Sequence, residues 1–237
     1  MRLRLRQFRP RTGPYLHRVV QPRQPLRHTW LRAPEPLPIG LLEGDHDGLS
    51  RLAGLFSFAA YSRRTIVQVP LRDGAPPDDG RGEPVDLVLA HHTLGLRPSQ
   101  WPELRGKLRQ GTPLTVRTDE ARTARDASSL RERWERADFR DELRHATHAR
   151  TFFLFGSRGV FAHTATEFAQ AAGWGPRQKG VAKGYPVLMS GLPVLTQPPG
   201  GGHPVEVLIC YRGDPHHVRF RRPGRRASRP PRPAAGP

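Results

Sequence analysis

Between residues 38 and 218, apolar runs short enough to be strands alternate with longer stretches of helical pattern, and this alternation narrows the fold more than any other feature. Residues 38–42, 65–71, 85–90 and 112–117 read as strands, and VDLVLA at 85–90 has the continuous apolar character of a strand covered on both faces. Helices are expected at 49–61, 98–110, 129–150 and 164–173. Ser129 with Glu132, and Thr164 with Glu167, have the spacing of capping boxes, and Pro102 is expected to bend the second helix. A hairpin is expected to join 151–155 to 160–163 around residues 156–159. Further strands are expected at 187–190, 192–196 and 205–211, with loops at 72–84 and 197–204. The pattern predicts a single α/β domain with a mixed, mostly parallel sheet flanked by helices. No helix intervenes between 65–71 and 85–90, so those two strands are candidates for an antiparallel pair.

Charge sets the boundaries of that domain. The chain has a formal net charge of +18, but residues 1–37 hold nine arginines and one acid, Glu35, while residues 219–237 hold seven arginines and no acid. The expectation is therefore a basic Pro/Arg-rich arm at 1–37, a nearly neutral domain at 38–218 and a disordered Arg/Pro-rich tail at 219–237. A start at Val19 or Val20 would make much of the arm untranslated. Arginine outnumbers lysine 36 to 3, a bias that phosphate binding does not require and a GC-rich bacterial genome explains.

The single cysteine, Cys210, excludes an internal disulfide and reads as a small buried apolar residue. No apolar stretch reaches the length of a membrane-spanning helix, and the cationic N-terminus lacks a signal's apolar segment. A cytoplasmic protein without a membrane partner is expected.

Acids and histidines fall where α/β sheets place ligand sites, just after strands. Asp45, His46 and Asp47 follow 38–42, His91 and His92 follow 85–90, and Asp119 and Glu120 follow 112–117. Were these strands parallel neighbours, Asp45 and Asp47 would hold a divalent metal or orient an imidazole. His46, His91 and His92 would serve as acid or base. The plainer alternatives are an N-cap for Asp45 or Asp47, and one packed plus one exposed ring for the His91–His92 pair. His145 and His148, three apart, would share one face of the expected 129–150 helix.

Residues 164–184 fit a helix-turn-helix in which Arg177, Lys179 and Lys183 meet nucleic acid. The expected function is thus a hydrolase- or transferase-type enzyme with an Asp/His site at strand ends. Alternatives are a nucleic-acid-binding protein using its arginine-rich tails and the helix-turn-helix, or a non-catalytic accessory protein of a biosynthetic gene cluster.

Overall fold

The computed structural model describes residues 1–34, 39–76, 82–134, 141–192, 195–196 and 205–213. The strands are β1 (Arg2–Phe8), β2 (Arg11–Thr12), β3 (Tyr15–Leu16), β4 (Arg18–Pro22), β5 (Trp30–Arg32), β6 (Ile39–Gly44), β7 (Thr65–Val69), β8 (Pro84–His91), β9 (Thr112–Arg117), β10 (Leu143–His148), β11 (Thr151–Gly156), β12 (Val187–Gly191), β13 (Leu195–Thr196) and β14 (Glu206–Tyr211). The helices are α1 (His46–Tyr61), α2 (Trp101–Gly106), α3 (Glu120–Trp134) and α4 (Arg158–Trp174).

One mixed sheet runs in the order β12-β14-β6-β5-β8-β7-β4-β1-β9. β8 is its hub: β11 pairs along residues 86–91, while β7 pairs at 87–89 and β5 at 84–85. β10 and β13 continue beyond β11, and β2 pairs with β3 as a separate small ribbon. β7 and β8 are antiparallel, the arrangement for which the absence of a helix between them made them candidates. The parallel pairs are β8–β11, β6–β14, β4–β7 and β10–β13; the other eight pairs are antiparallel, so antiparallel pairing predominates where the alternation pointed to parallel.

Two cores cover the two faces. Leu3, Leu5, Val67, Leu87, Leu89, Phe152 and Leu154 pack towards α1, α3 and α4, which supply Leu52, Phe56, Leu130, Phe161 and Phe168. On the other face Val19, Ile66, Val88, Ala90 and Phe153 meet Trp101 and Leu104 of α2. This double cover explains why VDLVLA and FFLF are apolar at successive positions rather than alternate ones. α1 lies beside α4, and a buried hydrogen bond between Ser57 and Thr123 hydroxyls (2.7 Å) ties it to α3.

Four expectations are corrected. First, residues 2–32 are not an arm outside the fold: β1 lies between β4 and β9, and Val19 and Val20 are fully buried. Second, the 129–150 helix is absent. α3 begins at Glu120, Ser129 lies inside it, and His145 and His148 belong to strand β10. Third, the hairpin turn falls at Ala149–Arg150, not at 156–159. Both residues take positive φ (49° and 57°), the geometry of a two-residue turn that matches strand twist. Fourth, there is no helix-turn-helix at 164–184. α4 begins at Arg158, capped by Ser157, whose side chain accepts from the Val160 amide, and runs unbroken to Trp174. Only single 3-10 turns follow, at Gly175–Arg177 and Val181–Lys183. The 197–204 loop and the 219–237 tail lie outside the described residues. Among the described residues, no helix is long and apolar enough to cross a membrane.

Candidate active site at the ends of β8 and β11

β8 and β11 run parallel in adjacent register, and their carboxyl ends finish side by side at His91 and Gly156. Each then turns sharply. After β8 the chain enters a single helical turn that His91 caps: its Nδ1 accepts from the Thr93 amide (3.3 Å) and lies 2.8 Å from Thr93 Oγ1. After β11, Ser157 caps α4. The two turns open onto a cleft of about 550 Å³, lined also by Arg63, Asp126, Arg133, Asp141 and Arg158. Parallel strand ends beside a helix N-terminus are where an α/β sheet leaves room for a ligand.

His91 is buried and its ring lies 4.4 Å from that of exposed His92. Burial, reinforced by His92 and Arg63 and opposed by Asp141, pushes the His91 pKa below its ordinary 6.5, so the ring is neutral at pH 7. With Nδ1 accepting, the proton of the neutral ring resides on Nε2, which is left as a donor. Asp141 accepts from Ser157 Oγ (2.5 Å). Asp126 accepts from Tyr61 Oη (2.6 Å) and from Arg158 Nε and Nη2 (2.7 Å each), so three elements meet at one carboxylate. Although burial alone would raise it, these donors and the arginine charges hold the Asp126 pKa below its usual range. Arg122 lies over the Tyr61 ring at 4.4 Å. Three guanidinium groups thus face two carboxylates, leaving the cleft net positive with α4's first-turn amides beside it.

The other expected site residues are elsewhere. Asp45, His46 and Asp47 sit at the start of α1, whereas Tyr61 and Arg63, next to the cleft, are at its far end. A helix of 16 residues separates them by roughly 24 Å. The structure therefore does not bring His46 together with His91 and His92. Asp45 is α1's N-cap, its Oδ1 accepting from the Gly48 amide (2.8 Å), and Asp47 pairs with Arg51 at 3.6 Å on the surface. Among the described residues no three metal-ligating side chains converge, so a divalent metal at Asp45 and Asp47 has no third ligand. His46 donates from Nδ1 to Ala172 O (3.0 Å) at the rim of a separate apolar cavity of about 620 Å³ between α1 and α4, where Thr118 and Glu120 also lie. Asp119 caps α3 through the Arg122 amide (2.9 Å). Arg177 and Lys183 are exposed on the 3-10 turns after α4, and Lys179 is exposed between them.

Sequence reasoning found His91 and His92 but missed Arg63, Asp126, Arg133, Asp141, Ser157 and Arg158. One signal was available: FFLF followed by Gly-Ser is a strand end followed by an N-cap, which would have set α4's start correctly. No protein-family model, curated protein or solved structure matches the chain.

Proposed function

We propose that the chain is a hydrolase- or transferase-type enzyme whose substrate carries an anionic group, phosphate being the best fit, bound in the cleft at the ends of β8 and β11. The observation that supports this is the convergence on one cleft of a buried neutral histidine, a helix N-terminus and three arginines, Arg63 from the turn after α1, Arg133 from α3 and Arg158 from α4. In this reading Arg63, Arg133 and the amides of α4's first turn hold the anion, with Arg158 positioned by Asp126. His91 Nε2 donates a hydrogen bond to the group that develops charge, and His92 shields it from solvent. The cytoplasm suits the one buried thiol, Cys210.

The test is a panel of chromogenic phosphate and carboxylate esters, assayed alongside His91→Asn, which keeps an acceptor for Thr93, and Arg133→Gln. The expected result is turnover of a phosphate ester, with kcat reduced about 10²–10³-fold in His91→Asn and KM raised in Arg133→Gln. Turnover unchanged by both substitutions, or no turnover together with no binding of inorganic phosphate, would overturn the reading.

A further inference from the structure

The first strand carries a second basic surface, remote in character from the cleft. In β1 the sequence RLRLRQF alternates, so Leu3 and Leu5 are buried against α1 while Arg2, Arg4 and Arg6 stand exposed on the opposite face. The neighbouring strands add to that face. Arg2 is directly opposite Arg117, Arg4 opposite Thr115, and Arg6 opposite both Pro113 and Gln21. The Arg23 amide donates to Arg4 O (2.9 Å), placing another arginine beside Arg4. β1, β4 and β9 contain no acidic residue. Arg2, Arg4, Arg6, Arg23 and Arg117 form no ion pair among the described residues. The carboxylates just past β9 are engaged: Asp119 caps α3, and Glu120 takes the Met1 ammonium. Asp86, on this face in β8, is buried and bonded to the Leu71 and Arg72 amides.

Like charges directly opposite across strands destabilise a sheet. Here that cost is borne with no counter-charge supplied by the described residues. Successive exposed arginines are about 7 Å apart and the strip is roughly 14 Å long, at two residues of strand rise per arginine. α2 covers the same face over Phe8 and Val19 but stops short of the strip, which runs out to the sheet edge at β9. Thr115, Pro113 and Gln21 around it provide no large apolar side chain to enter a lipid layer.

We infer that this strip binds the sugar–phosphate backbone of a single-stranded nucleic acid. One straight row of guanidinium groups follows one phosphate chain, whereas a duplex presents two backbones around a groove. Each arginine neutralises a phosphate and its neighbours' repulsion at once.

The experiment measures anisotropy of labelled oligothymidylate with the full chain, from about 50 to 200 mM salt. Variants are R2Q/R4Q/R6Q, the charge-keeping R2K/R4K/R6K, and Thr115→Glu, which places an acid opposite Arg4. The R2Q/R4Q/R6Q variant is expected to bind at least about tenfold more weakly at low salt, with its salt slope smaller by about 2 for three lost phosphate contacts. R2K/R4K/R6K is expected to keep the slope. Thr115→Glu is expected to weaken binding while raising Tm, which separates lost binding from lost folding. R177Q/K179Q/K183Q is expected to bind as the parent does. An unchanged slope in R2Q/R4Q/R6Q overturns the inference. So does duplex DNA, or anionic vesicles, bound as tightly as the single strand.

Discussion

Asp126 shows how a single carboxylate can hold a site together. It accepts from Tyr61 at the end of α1 and twice from Arg158 at the start of α4, while itself belonging to α3. Asp126→Ala strands three donors at a half-open surface and is expected to cost about 1–2 kcal/mol, read from chemical denaturation. His163 makes a complementary case. It is buried, its Nδ1 finds no partner among the described residues, and Glu167 is 3.9 Å from its Nε2. Burial, helped by Arg131 and opposed by Glu167, lowers its pKa below the ordinary 6.5, as burial also does for His91 and His17. A histidine held neutral in the native state takes up its proton more readily when unfolded. Stability is therefore full above about pH 6.5 and falls as the pH drops below it. Thermal melts from pH 7.5 down to 5.5 are expected to show that loss, and His163→Gln to flatten part of it. A stability independent of pH in this window would contradict the burial assigned to these rings. At this scale the sequence was half legible. Asp45 was weighed as cap or metal ligand, and only the Gly48 amide decides for the cap. Asp45→Ala is accordingly expected to lower stability by about 1 kcal/mol without changing phosphate binding in the distant cleft.

Among the elements, those with strong local signals were read well, and the errors trace to identifiable competing signals. β8, β9 and α1 fall where their patterns place them, because VDLVLA is a short continuous apolar run, TPLTVR alternates, and 49–61 is an apolar run too long for a strand. The 129–150 reading failed because charged residues without glycine or proline hide a strand start, and because Ala149–Arg150 lacks the Asn-Gly signature of its turn. β1 was missed although its alternation is exact in period. Arginine at each exposed position made it resemble a low-complexity arm, and burial of Leu3 and Leu5 by α1 is a tertiary fact. The turn after α4 provides a test of packing at this scale. A Cβ on Gly175 would collide with the Tyr211 ring of β14, so Gly175→Ala is expected to cost about 1–3 kcal/mol. A Tm equal to the parent's would show that α4 and β14 do not meet this closely.

For the whole molecule, topology decided what the sequence could not. Three polar clusters follow three strands, but β8 carries β5 and β7 in succession on one edge and β11 on the other; α1 separates the first cluster from the second by its full length, while Glu120 of the third lines the cavity that His46 lines. No local pattern encodes that arrangement, because strand order is set by long-range pairing. What remains at the ends of β8 and β11 is one net-positive cleft with His91 and His92 at its rim, and His46 lies far from it. The most direct measurement is a side-chain ¹⁵N–¹H NMR titration of the histidines with inorganic phosphate. The expected result is saturable shifts of the His91 and His92 ring signals while His46 stays fixed. Shifts at His46 with His91 and His92 unmoved, or no saturable shift at any ring, would contradict the assignment of this cleft as the ligand site.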